Sequence, residues 1–271
     1  MPKISLKGKN LPTSPIRKLS KYATDAKAKG IDVIHLNIGQ PDIETPAKAL
    51  QAIQSFDENV LAYGPSEGSL AFRQKMCFYF AKHNIEVQPD DILVTTGASE
   101  AIIMTLDCIT NEGDEIIIPE PFYANYDTFA AACGVKVVPV SSTIDSNFSL
   151  PPIEAFEATI NEKTRAIFIC NPNNPTGYVY SKKELNDLAT LVKKHDLFII
   201  VDEVYREFTY DGTVHHSVLT ISGLDEHAIL VDSMSKRYSM CGARIGCLVS
   251  KNKEVMNAAL KFAQSRLSPP T

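Results

Sequence analysis

A lysine with chemically useful neighbours stands near the C-terminal end of the sequence. The apolar run 229–231 predicts a buried strand, and Lys236 follows shortly after its end. Ser233 and Ser235 lie between them, and Arg244 stands eight residues beyond the lysine. A lysine at the mouth of a buried strand loses hydration, which favours its neutral amine, and such amines form Schiff bases with carbonyl compounds. A surface turn that contains these residue types by chance is an equally good interpretation of this segment taken alone.

Seven short apolar runs, separated by helical or turn-rich segments, are the elements that would hold this lysine and its partners. They lie at residues 92–96, 115–118, 136–140, 166–170, 198–202, 228–232 and 245–249. Several are apolar throughout, as in strands that helices cover on both faces. The alternation predicts an α/β protein, a three-layer sandwich with a mainly parallel seven-stranded sheet. In such sheets, ligands bind beyond the carboxyl ends of the strands.

Polar and aromatic residues follow several of these runs, at the edge where a ligand is expected. After the first run, residues 97–99 are Gly-Ala-Ser at a helix start, whose free N–H groups can bind phosphate. The ring of Tyr123 follows the second run, and the proline-rich loop 171–177 follows the fourth. Asp202 ends the fifth run, with Tyr205 close behind it. A buried carboxylate at that position requires a cation or a hydrogen-bond donor.

Each feature alone has an ordinary structural explanation: a strand–helix turn, core packing, a fixed loop or an ion pair. Together they match the needs of pyridoxal 5'-phosphate. Its phosphate needs N–H groups, hydroxyls and an arginine, and its ring needs a face to stack on. Its pyridine nitrogen needs an anion, its phenolic oxygen needs donors, and its aldehyde needs an amine. The sequence has neither the GxGxxG nor the GxxxxGK[ST] pattern, so dinucleotide and ATP binding lose their main support.

Composition argues against several other classes of function. A net charge of -5 over 271 residues provides no general basic field for nucleic acid or an anionic membrane. No apolar run reaches the roughly 20 residues that cross a bilayer. The six cysteines include no CxxC pair and the adjacent His215 and His216 point apart, so we predict no metal site. The N-terminus lacks the apolar core of a secretory signal, and we predict a cytoplasmic location.

Seven segments of the chain resemble the fold-type I pyridoxal-phosphate enzymes, within them the class I/II aminotransferases of the aspartate aminotransferase type. The segments are LNIGQPDIETP (36–46), YGPSEGSLAFR (63–73), TTGASEAI (95–102), EPFYANY (120–126), CNPNNPTG (170–177), VDEVYREF (201–208) and DSMSKRYSMCGARIG (232–246). They extend over nearly the whole chain, and the pair NNPTG and SxSK…GxRIG is highly specific. The resemblance implies pyridoxal phosphate as the cofactor.

The resemblance implies the roles of the catalytic residues. Lys236 would hold the cofactor as a Schiff base and then move the substrate proton, and Asp202 would pair with the pyridine nitrogen. Tyr205 and Asn174 would donate to the phenolic oxygen, with Asn174 also next to the substrate. Tyr123 would stack on the cofactor ring.

The remaining implied roles concern phosphate, substrate and partner. The phosphate would be held by Ala98, Ser99, Ser233, Ser235 and Arg244. Gly39 would contact the carboxylate of the amino-acid substrate. Tyr63 resembles the tyrosine that reaches the phosphate of the neighbouring subunit, so the resemblance implies a homodimer with shared sites.

The resemblance also divides the chain in two. Residues 1–45 would form an N-terminal arm and the first segment of a small domain, and residues 46–271 the cofactor-binding large domain. Within the first part, the pattern predicts a helix from Ser14 to Gly30 and a strand over Ile31–Ile38. Family members are longer, and their C-terminal small-domain segment carries the arginine that binds the substrate α-carboxylate. We therefore expect this chain to lack that arginine and to turn over little.

The predicted reaction is transamination between an L-amino acid, aspartate as the first choice, and a 2-oxo acid such as 2-oxoglutarate. A β-elimination lyase on the same scaffold, or a non-catalytic fragment or sensor domain, is the alternative. The run 233–236 also matches the SxxK motif of penicillin-recognising serine enzymes. In those enzymes the motif opens a helix and a KTG strand follows, and this sequence contains no KTG.

Overall fold

A seven-stranded sheet forms the centre of the protein, which is described from a computed structural model covering residues 2–57, 59–60 and 62–269. Within these residues the strands are β1 (Ile92–Thr95), β2 (Glu115–Glu120), β3 (Lys136–Ser141), β4 (Thr164–Cys170), β5 (Phe198–Asp202), β6 (Ala228–Ser233) and β7 (Gly246–Val249). Their order across the sheet is β1-β7-β6-β5-β4-β2-β3, and β7 runs antiparallel to both of its neighbours. The other pairs are parallel, so the predicted sheet is confirmed.

Helices cover both faces of the sheet and make the protein a three-layer sandwich. In the described part of the chain they are α1 (Leu6–Asn10), α2 (Ser20–Ala28), α3 (Ala47–Gln54), α4 (Leu70–Ala81), α5 (Gly97–Ile109), α6 (Asn125–Ala132), α7 (Ile153–Glu157), α8 (Lys182–Lys194) and α9 (Lys253–Ser265). Helices α4, α7 and α8 contribute to one apolar layer, and α5, α6 and α9 to the other. Among the described residues, every helix falls short of the length and apolar character that a membrane-spanning segment requires.

The central strands explain why the sequence shows continuous apolar runs. In β4, Ile167 and Ile169 belong to one apolar layer, whereas Ala166 and Phe168 belong to the other, and all four are fully buried. Successive side chains of a strand point to opposite faces, so a strand covered on both faces needs an apolar residue at every position. This double burial is the physical basis of the run that predicted β4.

The register of the sheet brings the carboxyl ends of its strands together. Cys170 at the end of β4 lies opposite Asp202 at the end of β5, and Asp202 lies opposite Val231 in β6. Strand β1 points the same way, because it is antiparallel to β7, which is antiparallel to β6. The N-terminus of α5 therefore lies at the same edge as the segments that follow β4, β5 and β6.

The segment before α4 differs from the sequence prediction. The predicted strand Ile31–Ile38 is wrong, because no described strand pairs with it and its apolar side chains face solvent, Leu36 being 92% exposed. The predicted helix from Ser14 to Gly30 is shorter, since a 3-10 turn at Arg17–Leu19 leads into α2. No described residue before Gly68 is buried. The proposed division into residues 1–45 and 46–271 stays a prediction.

Candidate active site

Lys236 lies in a turn that follows β6, at the carboxyl edge of the sheet. Its side chain is half-buried, and its Nζ donates a hydrogen bond to the carbonyl oxygen of Gly39. The same nitrogen stands 5.7 Å from the centre of the Tyr205 ring. The amine is thus held over an aromatic face at the end of a buried strand. The SxxK motif of penicillin-recognising enzymes opens a helix, and the turn around Lys236 does not, so the structure argues against that interpretation.

Two buried serine hydroxyls stand between the end of β6 and Lys236. The Oγ atoms of Ser233 and Ser235 are 2.8 Å apart. Ser233 Oγ also donates to the carbonyl oxygen of Ile245 at 3.0 Å and accepts from the backbone N–H of Ser235 at 3.1 Å. These bonds fix both hydroxyls in the wall of a cavity. The one proton of Ser233 is donated to Ile245, so the hydroxyl of Ser235 is the one that can turn from Ser233 and donate to an anion.

Arg244 lies against the N-terminus of α5, and Gly97 makes the approach possible. Arg244 Nη2 is 3.5 Å from the carbonyl oxygen of Thr96, and a Cβ on Gly97 would stand 2.5 Å from the same nitrogen. Gly97 has φ +72°, a left-handed conformation that favours glycine. No described residue accepts from the backbone N–H groups of Ala98 and Ser99 in the first turn of α5. These N–H groups and the guanidinium together form a cradle for an anion.

Asp202, the last residue of β5, is a buried carboxylate without a cationic partner. It accepts hydrogen bonds from the hydroxyl of Tyr126 at 2.9 Å and from the N–H of Val204 at 3.1 Å. No lysine, arginine or histidine among the described residues forms an ion pair with it. Burial raises the pKa of Asp202 to about 6, and the carboxylates of Asp232 and Glu203 act in the same direction, against the two hydrogen bonds. A protonated nitrogen on a ligand would satisfy this carboxylate.

Asp232, one strand away in β6, is also fully buried but has two cationic partners. Its Oδ2 lies 3.2 Å from Arg206 Nη1 and 2.6 Å from Arg237 Nη2. Burial raises the pKa of Asp232, but the two guanidiniums outweigh this effect and hold that pKa below its usual range. Arg206 also pairs with Glu203 at 2.9 Å. We call this group of side chains the buried ion cluster; its members are Glu203, Arg206, Asp232 and Arg237. The cluster connects the segment after β5 to the segment after β6.

Two tyrosines and a rigid loop complete the walls around Lys236. Burial raises the pKa of the hydroxyls of Tyr123 and Tyr205, so both stay protonated and can donate hydrogen bonds. Asn174 belongs to the loop after β4, and the neighbouring Asn173 amide donates to the carbonyl oxygen of Pro121 at 3.2 Å. This bond ties the loop after β4 to the segment after β2.

One cavity of about 570 Å³ contains every predicted site residue except Tyr63. Gly39 is part of its wall beside Lys236. The side chain of Tyr63 is 82% exposed and lies outside this cavity. In the described ranges, no group of three or more His, Cys, Asp or Glu residues could hold a metal ion.

Sequence reasoning did not single out several residues that shape the site. Tyr126 lies in the first turn of α6, three positions after Tyr123, which precedes the helix, and the centres of the two rings are 5.3 Å apart. Asn125 lies within the segment EPFYANY, but the resemblance implies no role for it, and no motif marks Arg17. Arg206 stands among charged residues in VDEVYREF, so nothing in the sequence indicates that it is buried.

The donor set of this cavity fits a phosphorylated pyridine aldehyde. A phosphate suits the cradle made by Gly97, Ala98, Ser99 and Arg244. The guanidinium of Arg244 occupies the space that a Cβ on Gly97 would fill. The unpaired, buried Asp202 suits a protonated ring nitrogen. The amine of Lys236 suits an aldehyde, and the protonated tyrosines suit a phenolic oxygen.

Comparisons with known proteins agree with this arrangement. The family model described as aminotransferase class I and II matches residues 31–271. An aspartate aminotransferase of Bacillus sp. strain YM-2 is 35% identical over 266 residues, which are 97% of this chain and 67% of that protein. The crystal structure of an aspartate aminotransferase from Thermotoga maritima superposes with a TM-score of 0.92 at 30% identity, over 99% of this chain and 71% of that one.

A relative with another substrate matches equally well. The structure of an alanine aminotransferase from Pyrococcus furiosus superposes with a TM-score of 0.91 at 31% identity, over 99% of this chain and 70% of that one. Overall similarity therefore does not distinguish between substrates. The chain spans about two thirds of the length of the curated relatives that it matches.

Proposed function

Since the chain belongs to the family of class I and II aminotransferases, we propose that it transfers an amino group between an L-amino acid and a 2-oxo acid. This membership confirms the resemblance found in the sequence, and the family depends on pyridoxal phosphate. One observation carries the proposal for this chain. A single cavity contains both Asp202, a buried carboxylate without a cationic partner, and the half-buried amine of Lys236.

The cofactor and the residues divide the chemistry between them. When bound, pyridoxal phosphate supplies an aldehyde for covalent attachment and an electron sink for the charge that develops at the substrate Cα. Lys236 supplies the amine that anchors the aldehyde, and, once released from it, acts as the base that takes the Cα proton. The hydrogen bond from Lys236 Nζ to the carbonyl oxygen of Gly39 keeps the amine inside the cavity.

Asp202 has the role of holding a proton on the pyridine nitrogen. The hydroxyl of Tyr126 and the N–H of Val204 orient its two oxygens, which leaves the carboxylate fixed for a cation. A cation at hydrogen-bond distance lowers the pKa of a carboxylate, so a protonated ring nitrogen would offset the effect of burial on Asp202. The acid and the ring nitrogen would each favour the charged form of the other.

The remaining residues hold the two ends of the cofactor. Arg244, Ser235 and the N–H groups of the first turn of α5 would bind the phosphate. Tyr205 and Asn174 would donate to the phenolic oxygen, and Tyr123 would cover the ring. The half-buried environment of both tyrosines supports these roles.

For the substrates we propose aspartate and 2-oxoglutarate first, in keeping with the names of several relatives. For the assembly we propose a homodimer in which Tyr63 reaches the neighbouring site, a role supported by the 82% exposure of its side chain. For the location we propose the cytoplasm, since all six cysteines are free thiols.

The proposal is tested by loading the purified chain with pyridoxal phosphate and recording its visible absorbance. We expect a pH-dependent band of the lysine-bound cofactor, and borohydride reduction should fix the cofactor mass on the peptide that contains Lys236. The variant Lys236→Ala should lose both signals, whereas Lys261→Ala, which removes an exposed lysine of α9, should keep both. A folded wild-type chain without the band would refute the cofactor assignment.

The reaction type requires a second measurement on the loaded chain. We expect aspartate to convert the band to that of the aminated cofactor, and 2-oxoglutarate to restore it, with the label of ¹⁵N-aspartate appearing in glutamate. A lyase would instead release pyruvate and ammonia from a β-substituted alanine. Ammonia release without labelled glutamate would overturn the transferase proposal and leave the cofactor assignment intact.

A further inference from the structure

Arg17 is a cation in the wall of the active-site cavity for which the cofactor offers no partner. Besides Arg17, the charged side chains that line the cavity among the described residues are Asp202, Lys236 and Arg244. Under the proposed function these three serve the ring nitrogen, the aldehyde and the phosphate. No carboxylate in the described part of the chain forms an ion pair with Arg17. The positive charge of Arg17 is thus available for another anion.

Hydrogen bonds hold the segment of Arg17 against the site. The hydroxyl of Ser14 donates to Oδ1 of Asn125 at 3.2 Å, and the amide of Asn37 donates to the carbonyl oxygen of Ile16 at 3.2 Å. These contacts tie the N-terminal segment to α6 on one side and to the segment of Gly39 on the other. These bonds hold the backbone just before Arg17, whose own side chain is exposed where it lines the cavity.

A second donor converges on the same region. The hydroxyl oxygen of Tyr123 accepts a hydrogen bond from the Asn125 amide at 2.7 Å, which leaves the hydroxyl proton free to donate. Burial raises the pKa of Tyr123, against the hydrogen bond from Asn125 and the positive charges of Arg17 and Arg244, so the hydroxyl keeps its proton. A planar guanidinium and a free O–H proton in the wall of one cavity are donors that suit a carboxylate.

The cavity offers two different groups to one substrate. Gly39 lies beside the amine of Lys236, where the reacting end of an amino acid must be. Arg17 lines the same cavity on the segment whose Ser14 bonds Asn125, and Asn125 in turn bonds the hydroxyl of Tyr123. We propose, on the basis of the proposed function, that Arg17 binds the side-chain carboxylate of a dicarboxylic substrate and so selects aspartate or glutamate and their 2-oxo acids. Tyr123 assists through its free hydroxyl proton.

The test compares two unreactive acids of equal chain length on the cofactor-loaded protein. Succinate carries a carboxylate at each end and butyrate at one, and calorimetric titration measures the dissociation constant of each. We expect Arg17→Gln to weaken succinate binding by about 10- to 100-fold, the loss typical of a charged hydrogen-bond pair, down to the level of butyrate. Butyrate binding should not change. Arg17→Lys should recover part of the succinate affinity, because lysine keeps the charge and loses the planar fork.

Lys18→Gln is the matched control, since it removes the same charge from the adjacent residue, which does not line the cavity, and should leave both affinities unchanged. Three results would overturn the inference: unchanged succinate binding in Arg17→Gln, an equal loss for both acids, or loss of the cofactor band in that variant. Equal affinity of the wild type for both acids would also overturn it. A wild-type chain without a cofactor band refutes the proposed function itself, so the two failures are distinguishable.

Discussion

Two buried aspartates of this protein should respond in opposite ways to the same substitution. Asp202 has hydrogen-bond donors and no cation, whereas Asp232 is paired with Arg206 and Arg237. In the cofactor-free protein, Asp202→Asn removes an unfavourable buried charge and keeps the hydrogen bonds, because the hydroxyl of Tyr126 can accept from the new amide. We expect this variant to be more stable than the wild type at neutral pH.

The magnitude follows from the pKa of Asp202. Burial raises it from the ordinary 3.8 to about 6, and this difference corresponds to about 3 kcal/mol of unfolding free energy. Since the pKa in the folded state is the higher one, the contribution of Asp202 to stability is complete below about pH 4 and is lost as the pH rises through about 6. The stability gain of Asp202→Asn should therefore be largest above about pH 7 and vanish below about pH 4.

Urea unfolding of the cofactor-free protein over this pH range measures the effect. Asp232→Asn is the control, because it removes the carboxylate that pairs with Arg237 and leaves Arg206 with Glu203 alone, and it should cost about 3–5 kcal/mol at neutral pH. Pyridoxal phosphate should stabilise the wild type more than Asp202→Asn, since only the carboxylate can pair with a protonated ring nitrogen. A destabilised Asp202→Asn at neutral pH, or a stability difference that does not change with pH, would refute this reasoning.

Two further substitutions test the phosphate cradle and the hydrogen bond to Asp202. Gly97→Ala should cost about 1–2 kcal/mol through backbone strain and should weaken cofactor affinity in a spectroscopic titration, because the new Cβ displaces Arg244. Gly113→Ala has the same strain at φ +89° with open space around it, so equal cofactor affinity in the two variants would contradict this account. Tyr126→Phe removes a donor to Asp202 and should raise the pKa of that carboxyl, so the pH at which the stability gain of Asp202→Asn levels off should move upward; an unchanged value would count against the bond.

The central sheet could be predicted from the sequence because a strand that is buried on both faces is apolar at nearly every position. Strands β4 and β5 are such runs, and their pattern predicts that Asp202 and the loop 171–177 lie at the carboxyl edge of the sheet, whereas the role of Asn174 follows only from the family resemblance. The position of Lys236 followed in the same way from β6. These predictions depend on single segments, since each strand carries its own pattern.

The parts that could not be predicted depend on contacts between distant segments. The run Ile31–Ile38 has strand-like composition, but no described strand pairs with it, so the pattern was misleading. The difference between Asp202 and Asp232 is also invisible in the sequence, because both end apolar runs. Only the fold shows that Arg206 reaches one of them and not the other.

The buried ion cluster gives this difference a functional meaning. Arg206 bonds Glu203, the residue after Asp202, and also Asp232, four residues before Lys236. One guanidinium therefore connects the segment of the acid to the segment of the amine. Arg206 and Arg237 pair with Glu203 and Asp232, and neither of the two arginines forms an ion pair with Asp202. The same cluster that positions the acid relative to the lysine thus keeps that acid available for a cationic ligand.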